Sequence, residues 1–206
     1  MGRYIGAVCK RCRREAQKLF LKGDRCYSPK CAINRRNSLP GQQSKRRKKQ
    51  SEYGLQLREK QKTKRFYGVL EKQFAKYFEM AGRKQGVIGE NLLRLLESRL
   101  DNIVFRSGFA SSRKEAKQLV VHRHFTVNGQ KADRPSMLVK PGDVVEVKPK
   151  SASNAKMKVL LDGKRMVTVP TWISVENKKA TILALPNRED IDLEVTEQFI
   201  VELYSK

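Results

Sequence analysis

The fold is decided by the stretch from Leu96 to Val147, which reads LESRLDNIVFRSGFASSRKEAKQLVVHRHFTVNGQKADRPSMLVKPGDVVEV. Apolar residues recur at helical spacing into this stretch, and they are Leu92, Leu95, Leu96, Leu100, Ile103 and Val104. Gly108 follows them where the end of a helix favours a residue that can adopt positive φ. A second helix is predicted to start at Ser112, because Ser112 and Glu115 form a capping-box pattern in which the two residues satisfy each other's backbone amides.

A β-hairpin is predicted to follow these two helices. Asn128-Gly129 is the dipeptide that best tolerates the two positive φ values of a type I′ turn, so the chain should reverse there. Lys140-Pro141-Gly142-Asp143 predicts a further turn, and the β-branched run from Val144 to Val147 should pair back into a small antiparallel sheet. The stretch therefore predicts an α+β fold of two helices and a small sheet.

The composition points to a polyanionic partner. The 206 residues include 45 Lys and Arg against 21 Asp and Glu, which gives a formal net charge of +24 and a pI near 10.2. Such a charge repels itself unless a polyanion neutralises it, and nucleic acid is the obvious candidate. Basic residues exceed acidic ones by sixteen to two in residues 1–50 and by twenty-one to eleven in 51–150, whereas residues 151–206 hold eight of each. No apolar run approaches the roughly twenty residues of a membrane span, and we expect no signal peptide and no membrane contact.

The N-terminal segment carries all four cysteines with the spacing of metal ligands. Cys9-x-x-Cys12 is followed after thirteen residues by Cys26-x4-Cys31. Two such pairs can complete a tetrahedron of thiolates, and we predict a structural Zn²⁺ ion, with an iron–sulfur cluster or unliganded thiols as alternatives. Neighbouring lysines and arginines should lower the pKa values of the thiols. The segment is short and polar, so metal binding would supply its folding free energy.

The long stretch of residues 96–147 resembles an RNA-binding module named after small-subunit ribosomal protein four. The motifs that carry the resemblance are Arg99-Leu100-Asp101, Ser112-Arg113-x-Glu115-Ala116-x-Gln118-Leu119-Val120 and Val127-Asn128-Gly129. In that family the second helix and the hairpin contact structured RNA. The resemblance therefore implies RNA contact by Arg113, Lys114, Lys117, His122, Arg123 and Lys131. A solvated polar face is the alternative interpretation of any one of these residues.

Residues 46–95 extend the resemblance to the whole family of bacterial small-subunit ribosomal protein four. The runs Tyr53-Gly54-x-Gln56-Leu57-Arg58-Glu59-Lys60-Gln61-Lys62 and Tyr67-Gly68-Val69-Leu70-Glu71-x-Gln73-Phe74 are similar to that family, as is the C-terminal Phe199 to Lys206. These runs predict two helices. Glu59 should form ion pairs with basic side chains one helical turn away. The apolar residues that recur at helical spacing should form one buried face, and they are Phe66, Val69, Leu70, Phe74, Tyr77 and Phe78. In this segment we predict RNA contact by Tyr53, Arg58, Lys60, Lys62, Arg65 and Tyr67.

The family resemblance also implies partners. The zinc-carrying variety of the family has the four cysteines, and its members hold a multi-helix junction in the 5′ domain of small-subunit ribosomal RNA (rRNA) early in assembly. The cationic run Arg46, Arg47, Lys48 and Lys49 aligns with the basic residues beside the channel through which messenger RNA (mRNA) enters. Small-subunit protein five is an implied neighbour, and repression of the protein's own mRNA is a further hypothesis. The expected location is the small ribosomal subunit in the cytoplasm.

The domain organisation follows from these assignments. We predict a zinc-binding segment at 1–45, a helical rRNA-binding domain at 46–95, and the helix–helix–hairpin RNA-binding module at 96–150. Residues 151–206 should form a mixed β segment, with strands at Pro170–Val175 and Ala180–Leu185, and a C-terminal helix, capped by Thr196, that packs back on the helical domain. The structure of residues 156–169 is left open.

Enzymatic function is the competing class. Pseudouridine synthases carry a catalytic Asp in an Arg-Leu-Asp context, but Asp101 lies on an amphipathic helix within the binding module, where a structural ion pair fits better. His122 and His124 have no nucleophile nearby in sequence, and the chain has no Gly-rich phosphate loop. We therefore predict binding without turnover and no small-molecule substrate. A stress-response or ribosome-rescue factor is a third reading, which the whole-length resemblance disfavours.

Overall fold

The chain divides into two units in a computed structural model that describes residues 2, 4–36, 38–42, 51–162 and 168–205. Unit 1 comprises residues 1–92 and 193–206, and unit 2 comprises residues 93–192. In the part of the chain that the structure describes, no helix is both long and apolar enough to cross a lipid bilayer.

Unit 1 is helical. Its elements are α1 (Cys9–Glu15), a 3₁₀ turn (Gly23–Cys26), α2 (Ala32–Arg35), α3 (Glu52–Phe66), α4 (Glu71–Gly82), the first half of α5 (Ile88–Glu97) and the C-terminal α10, which runs Glu197–Tyr204. Most of the apolar stripe predicted for the second helix is buried, since Phe66, Val69, Phe74 and Tyr77 are almost inaccessible to solvent. Leu70, predicted on the same buried face, is 45% exposed, which corrects that part of the prediction. Ile200 on α10 is fully buried.

Helix α10 packs against α3 through polar contacts and against α4 through aromatic rings. Gln56 donates a hydrogen bond to Glu202 at 2.9 Å, and the rings of Phe78 and Tyr204 stack with centroids 4.5 Å apart. Thr196 is the N-cap residue, but the prediction that its side chain caps the helix is wrong. Its backbone N–H instead donates to Glu59 at 3.1 Å, so the start of α10 is fastened to α3.

Unit 2 carries the two helices and the sheet predicted from residues 96–147. It contains the end of α5 followed by α6 (Leu100–Arg106), α7 (Arg113–Val121), β1 (Phe125–Val127), β2 (Gln130–Ala132), β3 (Val144–Val147), α8 (Pro149–Ala152), α9 (Ala155–Asp162), β4 (Ile173–Glu176) and β5, which runs Lys179–Ile182. The α+β class is confirmed. Asn128 and Gly129 both have positive φ, as a type I′ turn requires, and Gly108 takes positive φ after α6.

The first helix of the motif is interrupted, which corrects the prediction of one continuous helix. Arg99 has extended backbone dihedrals and forms an isolated β-bridge with Leu138. The Leu100 amide donates to the Met137 carbonyl at 2.8 Å, and the Val139 amide donates to the Ser98 carbonyl at 2.9 Å. Backbone pairing with a distant segment therefore ends α5 and starts α6, although the apolar spacing continues across the break.

The strands that the structure describes form one antiparallel sheet in the order β2-β1-β3-β5-β4. Strand β5 pairs directly with β3, with Val145 opposite Ala180. Strands from both sides of residue 150 thus share one sheet, and we correct the predicted boundary there. Phe109 and Phe125 lie in the core beneath the sheet, with ring centroids 6.1 Å apart, and Trp172 is buried as predicted.

Candidate nucleic-acid interface

The start of α7 positions the predicted RNA-contacting helix. Ser112 is the N-cap residue, and its Oγ accepts a hydrogen bond from the Glu115 amide at 3.3 Å. The Glu115 carboxylate accepts from the amide of Ser111 at 2.9 Å, one residue before the amide that a capping box would use. The predicted cap is therefore present in a modified form, which fixes the first turn of α7.

Arg113 does not lie on the exposed face of α7. Arg113 is buried, with only 7% of the residue exposed. Its Nε donates a hydrogen bond to Asn102 Oδ1 at 2.8 Å, and its guanidinium carbon lies 4.5 Å from the centre of the Phe105 ring. The expectation that Arg113 faces RNA is corrected for this reason. Its guanidinium instead holds α7 against α6 by a hydrogen bond and a cation–π contact.

A buried ionic network surrounds Arg113. Arg106 donates two hydrogen bonds to Glu97, at 2.8 and 3.1 Å, and one to Asp192 at 2.6 Å. Asn102 Nδ2 donates to Glu97 at 2.6 Å. Burial disfavours the charged guanidinium, but the Glu97 and Asp192 carboxylates outweigh it and raise the pKa of Arg106 above its usual value.

Asp101 also has a structural partner. Arg99 donates to it in a bidentate arrangement, Nε to Oδ1 at 3.0 Å and Nη2 to Oδ2 at 2.7 Å, and both residues are buried. This confirms the predicted ion pair of Asp101. The neighbouring network of Glu97, Asn102 and Arg106 was not predicted from the sequence. The feature that could have indicated it is the occurrence of charged and amide side chains between the apolar positions of the first predicted helix.

Several cations of α7, its C-terminal turn and β2 remain at the surface. We call Lys114, Lys117, Arg123 and Lys131 the module cations, and His122 precedes Arg123 in the same turn. All but Lys117 are exposed, and Lys117 is half-buried. Arg123 forms a 3.3 Å ion pair with Asp133, and both side chains remain largely open to solvent. Of the six residues of this module predicted to contact RNA, these five are accessible to a ligand.

Arg123 occupies a backbone position that usually takes glycine. It follows the C-terminus of α7 with φ of 65°, and its amide donates to the Val120 carbonyl at 2.8 Å. A residue with a Cβ atom adopts this left-handed conformation at a cost that glycine avoids. Because non-glycine residues in this conformation are concentrated at functional sites, an exposed guanidinium here suits a functional contact better than a purely structural role.

The predicted cations on α3 are engaged in ion pairs within unit 1. Lys60 and Lys64 bind Glu71 at 2.7 and 2.6 Å, and Lys62 binds Glu59 at 2.7 Å, which confirms the predicted pairing of Glu59. These lysine side chains are only 13–15% exposed. Their ammonium groups therefore have a structural role, and RNA contact by Lys60 and Lys62 stays a prediction.

Glu71 is held ionised by its donors. Burial opposes ionisation, but hydrogen bonds from Lys60, Lys64 and Tyr204 together lower the pKa of Glu71 to about 2. Burial first and then the Glu71 charge raise the pKa of the Tyr204 phenol. The three donors come from α3 and α10, so this carboxylate joins both helices to the start of α4.

Arg58 and Arg65 on α3 share another carboxylate. Both contact Glu15 of α1, whose side chain is only 2% exposed, and the Arg58 contact is 3.4 Å long. Burial raises the pKa of Glu15, and the two guanidinium groups oppose that rise. The contacts fasten the cysteine-bearing helix α1 to α3. RNA contact by Arg58 and Arg65 therefore also stays a prediction.

The two tyrosines predicted to stack on nucleotides differ in exposure. Tyr67 is 3% exposed and packs edge-on against Phe66, with ring centroids 5.1 Å apart. Its prediction as an RNA contact is corrected, because a buried ring offers no face to a base. Tyr53 is 57% exposed and remains available. The cationic run 46–49 lies outside the described residues.

The four cysteines line one small cavity of about 20 Å³. Among the residues that the structure describes, no three His, Cys, Asp or Glu side chains already form a group that could hold a metal ion. The Lys22 amide donates to Cys26 Sγ at 3.3 Å, and the Leu19 amide donates to the Cys12 sulfur. Burial raises the pKa values of the Cys12 and Cys26 thiols, so the net lowering expected from nearby cations is wrong for these two thiols.

A second group of lysines was not predicted as a site. Lys158, Lys178 and Lys179 line a cleft in unit 2, and Lys178 and Lys179 fall between the two strands predicted in this segment. The signal that could have found them is the Asn177-Lys178 pair, in which lysine stands where a tight hairpin turn prefers glycine.

Comparisons with known proteins cover the whole chain. Residues 3–97 match the family model "Ribosomal protein S4/S9 N-terminal domain", and residues 98–145 match the "S4 domain" model. The chain is 62% identical to small ribosomal subunit protein uS4A of Alkaliphilus oremlandii and 60% identical to small ribosomal subunit protein uS4 of Clostridioides difficile. Both alignments span 100% of each chain.

Proposed function

The chain belongs to the ribosomal protein S4 family, and we infer that it is a structural, rRNA-binding protein of the small ribosomal subunit in the bacterial cytoplasm. The observation that carries this inference is 62% identity over the full length to a small ribosomal subunit protein. The family is not one of enzymes, so the expected activity is binding without turnover. The module cations supply the physical means.

The binding energy would come mainly from phosphate neutralisation. Exposed lysine and arginine side chains on a rigid helix and hairpin can replace the counterions of RNA, and release of those counterions favours association. The deep groove of an RNA helix resists reading by side chains, so recognition would rely on shape and on 2′-hydroxyl groups. Tyr53 adds an exposed aromatic ring on which an unpaired base could stack.

The finer assignments extend this proposal. We propose that the protein holds a multi-helix junction in the 5′ domain of small-subunit rRNA and acts early in assembly. The run 46–49 would contact mRNA as it enters the subunit, and small-subunit protein five would be a neighbour. The resemblance of the whole chain supports these roles, and the four consecutive cations of the run supply charge for an mRNA strand. Repression of its own mRNA would use the same RNA-binding surface.

A nuclease footprint of the purified protein on small-subunit rRNA tests the proposal. We expect protection confined to one helical junction in the 5′ domain, because rigidly mounted cations match one arrangement of phosphates. Excess heparin or duplex DNA at about 0.15 M salt provides the control for nonspecific charge. Diffuse protection, or equal competition by heparin, would reduce the protein to a general polycation.

We also propose that Cys9, Cys12, Cys26 and Cys31 hold a structural Zn²⁺ ion. Their common cavity and the two amide donors to sulfur support the assignment, because amide hydrogen bonds stabilise thiolate ligands. Zinc would draw the four sulfurs together and compensate the thiolate charge that burial disfavours. Four protein ligands leave no open position, so the ion would be structural. An iron–sulfur cluster is the alternative occupant.

Metal removal tests this assignment. Chelation should make residues 1–42 sensitive to protease while unit 2 keeps its resistance, because the N-terminal segment has little apolar core of its own. The measurements are limited proteolysis with mass spectrometry and elemental analysis, which should find one zinc per chain. A Cys12→Ser/Cys26→Ser variant should resemble the chelated protein. Unchanged protease resistance after complete metal removal would disprove a structural role, and visible absorbance with bound iron would favour the cluster.

A further inference from the structure

Unit 2 contains a cleft of about 500 Å³, and none of the residues that line it is a module cation. Its walls come from the end of β3, from the helices α8 and α9, and from the turn between β4 and β5. The charged side chains that line it are Glu146, Lys158, Lys178 and Lys179. The remaining lining includes small or apolar residues such as Val147 and Ala152, and none of the described lining residues is aromatic.

The charges in this cleft do not cancel. Lys179 Nζ lies 2.7 Å from Glu146 Oε1, which neutralises one lysine. Lys158 and Lys178 form no ion pair with any residue that the structure describes, and both are exposed. Two positive charges therefore remain beside a concave wall, an arrangement that attracts an anion.

The backbone at Lys178 adds an independent observation. Asn177 and Lys178 have φ of 42° and 69°, the conformation that Asn128 and Gly129 adopt in the other hairpin of the same sheet. Glycine adopts the second position without the steric cost that a Cβ atom brings. The chain has glycine in one hairpin and lysine in the other, and because strained backbone of this kind is concentrated at functional sites, the strain points to a role for the lysine side chain.

We propose that this cleft binds the phosphodiester backbone of rRNA, as a second contact beyond the module cations. This inference rests on the proposed rRNA-binding function. The cleft offers two unpaired ammonium groups and no aromatic wall, so it suits phosphates rather than stacked bases or an aromatic metabolite. Glu146 pairs with Lys179, and its negative charge repels phosphate, so Lys179 does not provide a third phosphate contact. Glu146 therefore limits the affinity of the cleft for RNA.

The test compares charge variants of the full chain on a transcript of the rRNA 5′ domain. Each lost phosphate contact should reduce the slope of log affinity against log salt by about 0.9. Lys158→Gln combined with Lys178→Gly should therefore reduce the slope by about 2 and weaken binding about thirtyfold at 0.15 M salt. Glycine suits the turn at 178, so thermal stability should not fall.

Two further variants separate charge from structure. Lys158→Arg with Lys178→Arg keeps both charges and should retain the wild-type slope. Glu146→Gln removes the anion and frees Lys179, so it should tighten RNA binding and steepen the slope, a gain that loss of a merely structural contact would not produce.

Chemical acetylation of lysines followed by mass spectrometry measures directly whether RNA covers the cleft. The transcript should protect Lys158 and Lys178 from acetylation, whereas millimolar inorganic phosphate should not. Protection by phosphate alone would make the cleft a small-anion site and overturn the RNA assignment. If wild-type protein binds the transcript but the double variant keeps its slope, the cleft is not a contact and the proposed function stands. If wild-type protein shows no saturable binding, the proposed function itself fails.

Discussion

Replacing Glu97 with alanine is expected to lower the free energy of unfolding by about 3–5 kcal/mol. Glu97 is 1% exposed and accepts hydrogen bonds from Arg106 and Asn102. Its removal leaves a buried guanidinium with one remaining carboxylate, Asp192, whose side chain is largely exposed. Because a typical domain is stable by only about 5–15 kcal/mol, such a loss would threaten the fold of unit 2.

Urea unfolding followed by the fluorescence of Trp172 measures this loss. Trp172 is the single tryptophan of the chain and is buried in the core of unit 2, so its emission reports on that unit. Glu189→Ala is the matched control, since it removes an exposed carboxylate and should change stability by less than about 0.5 kcal/mol. If Glu97→Ala and Glu189→Ala unfold at the same urea concentration, the network does not stabilise the fold.

A double substitution separates the destabilisation caused by an unpaired buried charge from the net stabilisation that the Glu97–Arg106 ion pair provides. Replacing both Glu97 and Arg106 with methionine removes the two charges together and fills similar volume. Stability should recover much of what Glu97→Ala loses, because a buried ion pair gains little over well-packed apolar side chains. Asn102 keeps its contact with Arg113 in this variant, which preserves the junction between α6 and α7.

The features that sequence predicted correctly depend on local backbone rules. Asn128-Gly129 indicates its turn because few dipeptides tolerate two positive φ values, and Gly108 marks the end of α6 for a similar reason. The helical context of Asp101 predicts a structural ion pair, and Arg99, two residues away, supplies the positive charge. In each case the deciding atoms lie within a few residues of one another.

The features that sequence missed depend on distant partners. Arg113 looks like an exposed base at the start of a basic helix, but Asn102 and Phe105 on another helix draw it into the interior. Arg99 lies within continuous helical spacing, yet pairing with Leu138 extends its backbone. Local pattern cannot reveal which side of a helix a distant segment will cover, so such residues need the tertiary structure.

Strand pairing across residue 150 has the same cause. Residues 151–155 are small and polar, a composition that suggests a connector and therefore a boundary. The sheet instead joins β3 to β5 over more than thirty residues, because apolar strand faces such as those of Val145 and Ala180 can be buried together. Local composition thus did not locate the edge of the unit.

Removing three of the module cations should weaken rRNA binding roughly a hundredfold at 0.15 M salt without unfolding the protein. The proposed variant combines Lys114→Gln, Arg123→Gly and Lys131→Gln, and glycine at 123 suits the positive φ there. Three lost phosphate contacts should reduce the slope of log affinity against log salt by about 3. Filter binding or fluorescence anisotropy between about 0.1 and 1 M salt measures both quantities.

Arg113→Ala is the matched control, because it removes a basic residue from the same helix at a buried position. It should lower the thermal midpoint, since Asn102 loses its donor and Phe105 loses the covering guanidinium, while the salt slope of the folded protein stays near that of the wild type. Substituting Arg113 together with Lys114 and Lys117 would mix the two effects. If Arg113→Ala instead flattens the salt slope at unchanged stability, and the triple variant binds like the wild type, then the guanidinium contacts RNA and the exposed cations do not. The expected result, a lower thermal midpoint for Arg113→Ala and a flatter salt slope for the triple variant, would show that neighbouring residues of one helix have different roles. Arg113 would stabilise the interior, and Lys114 would contact the phosphates.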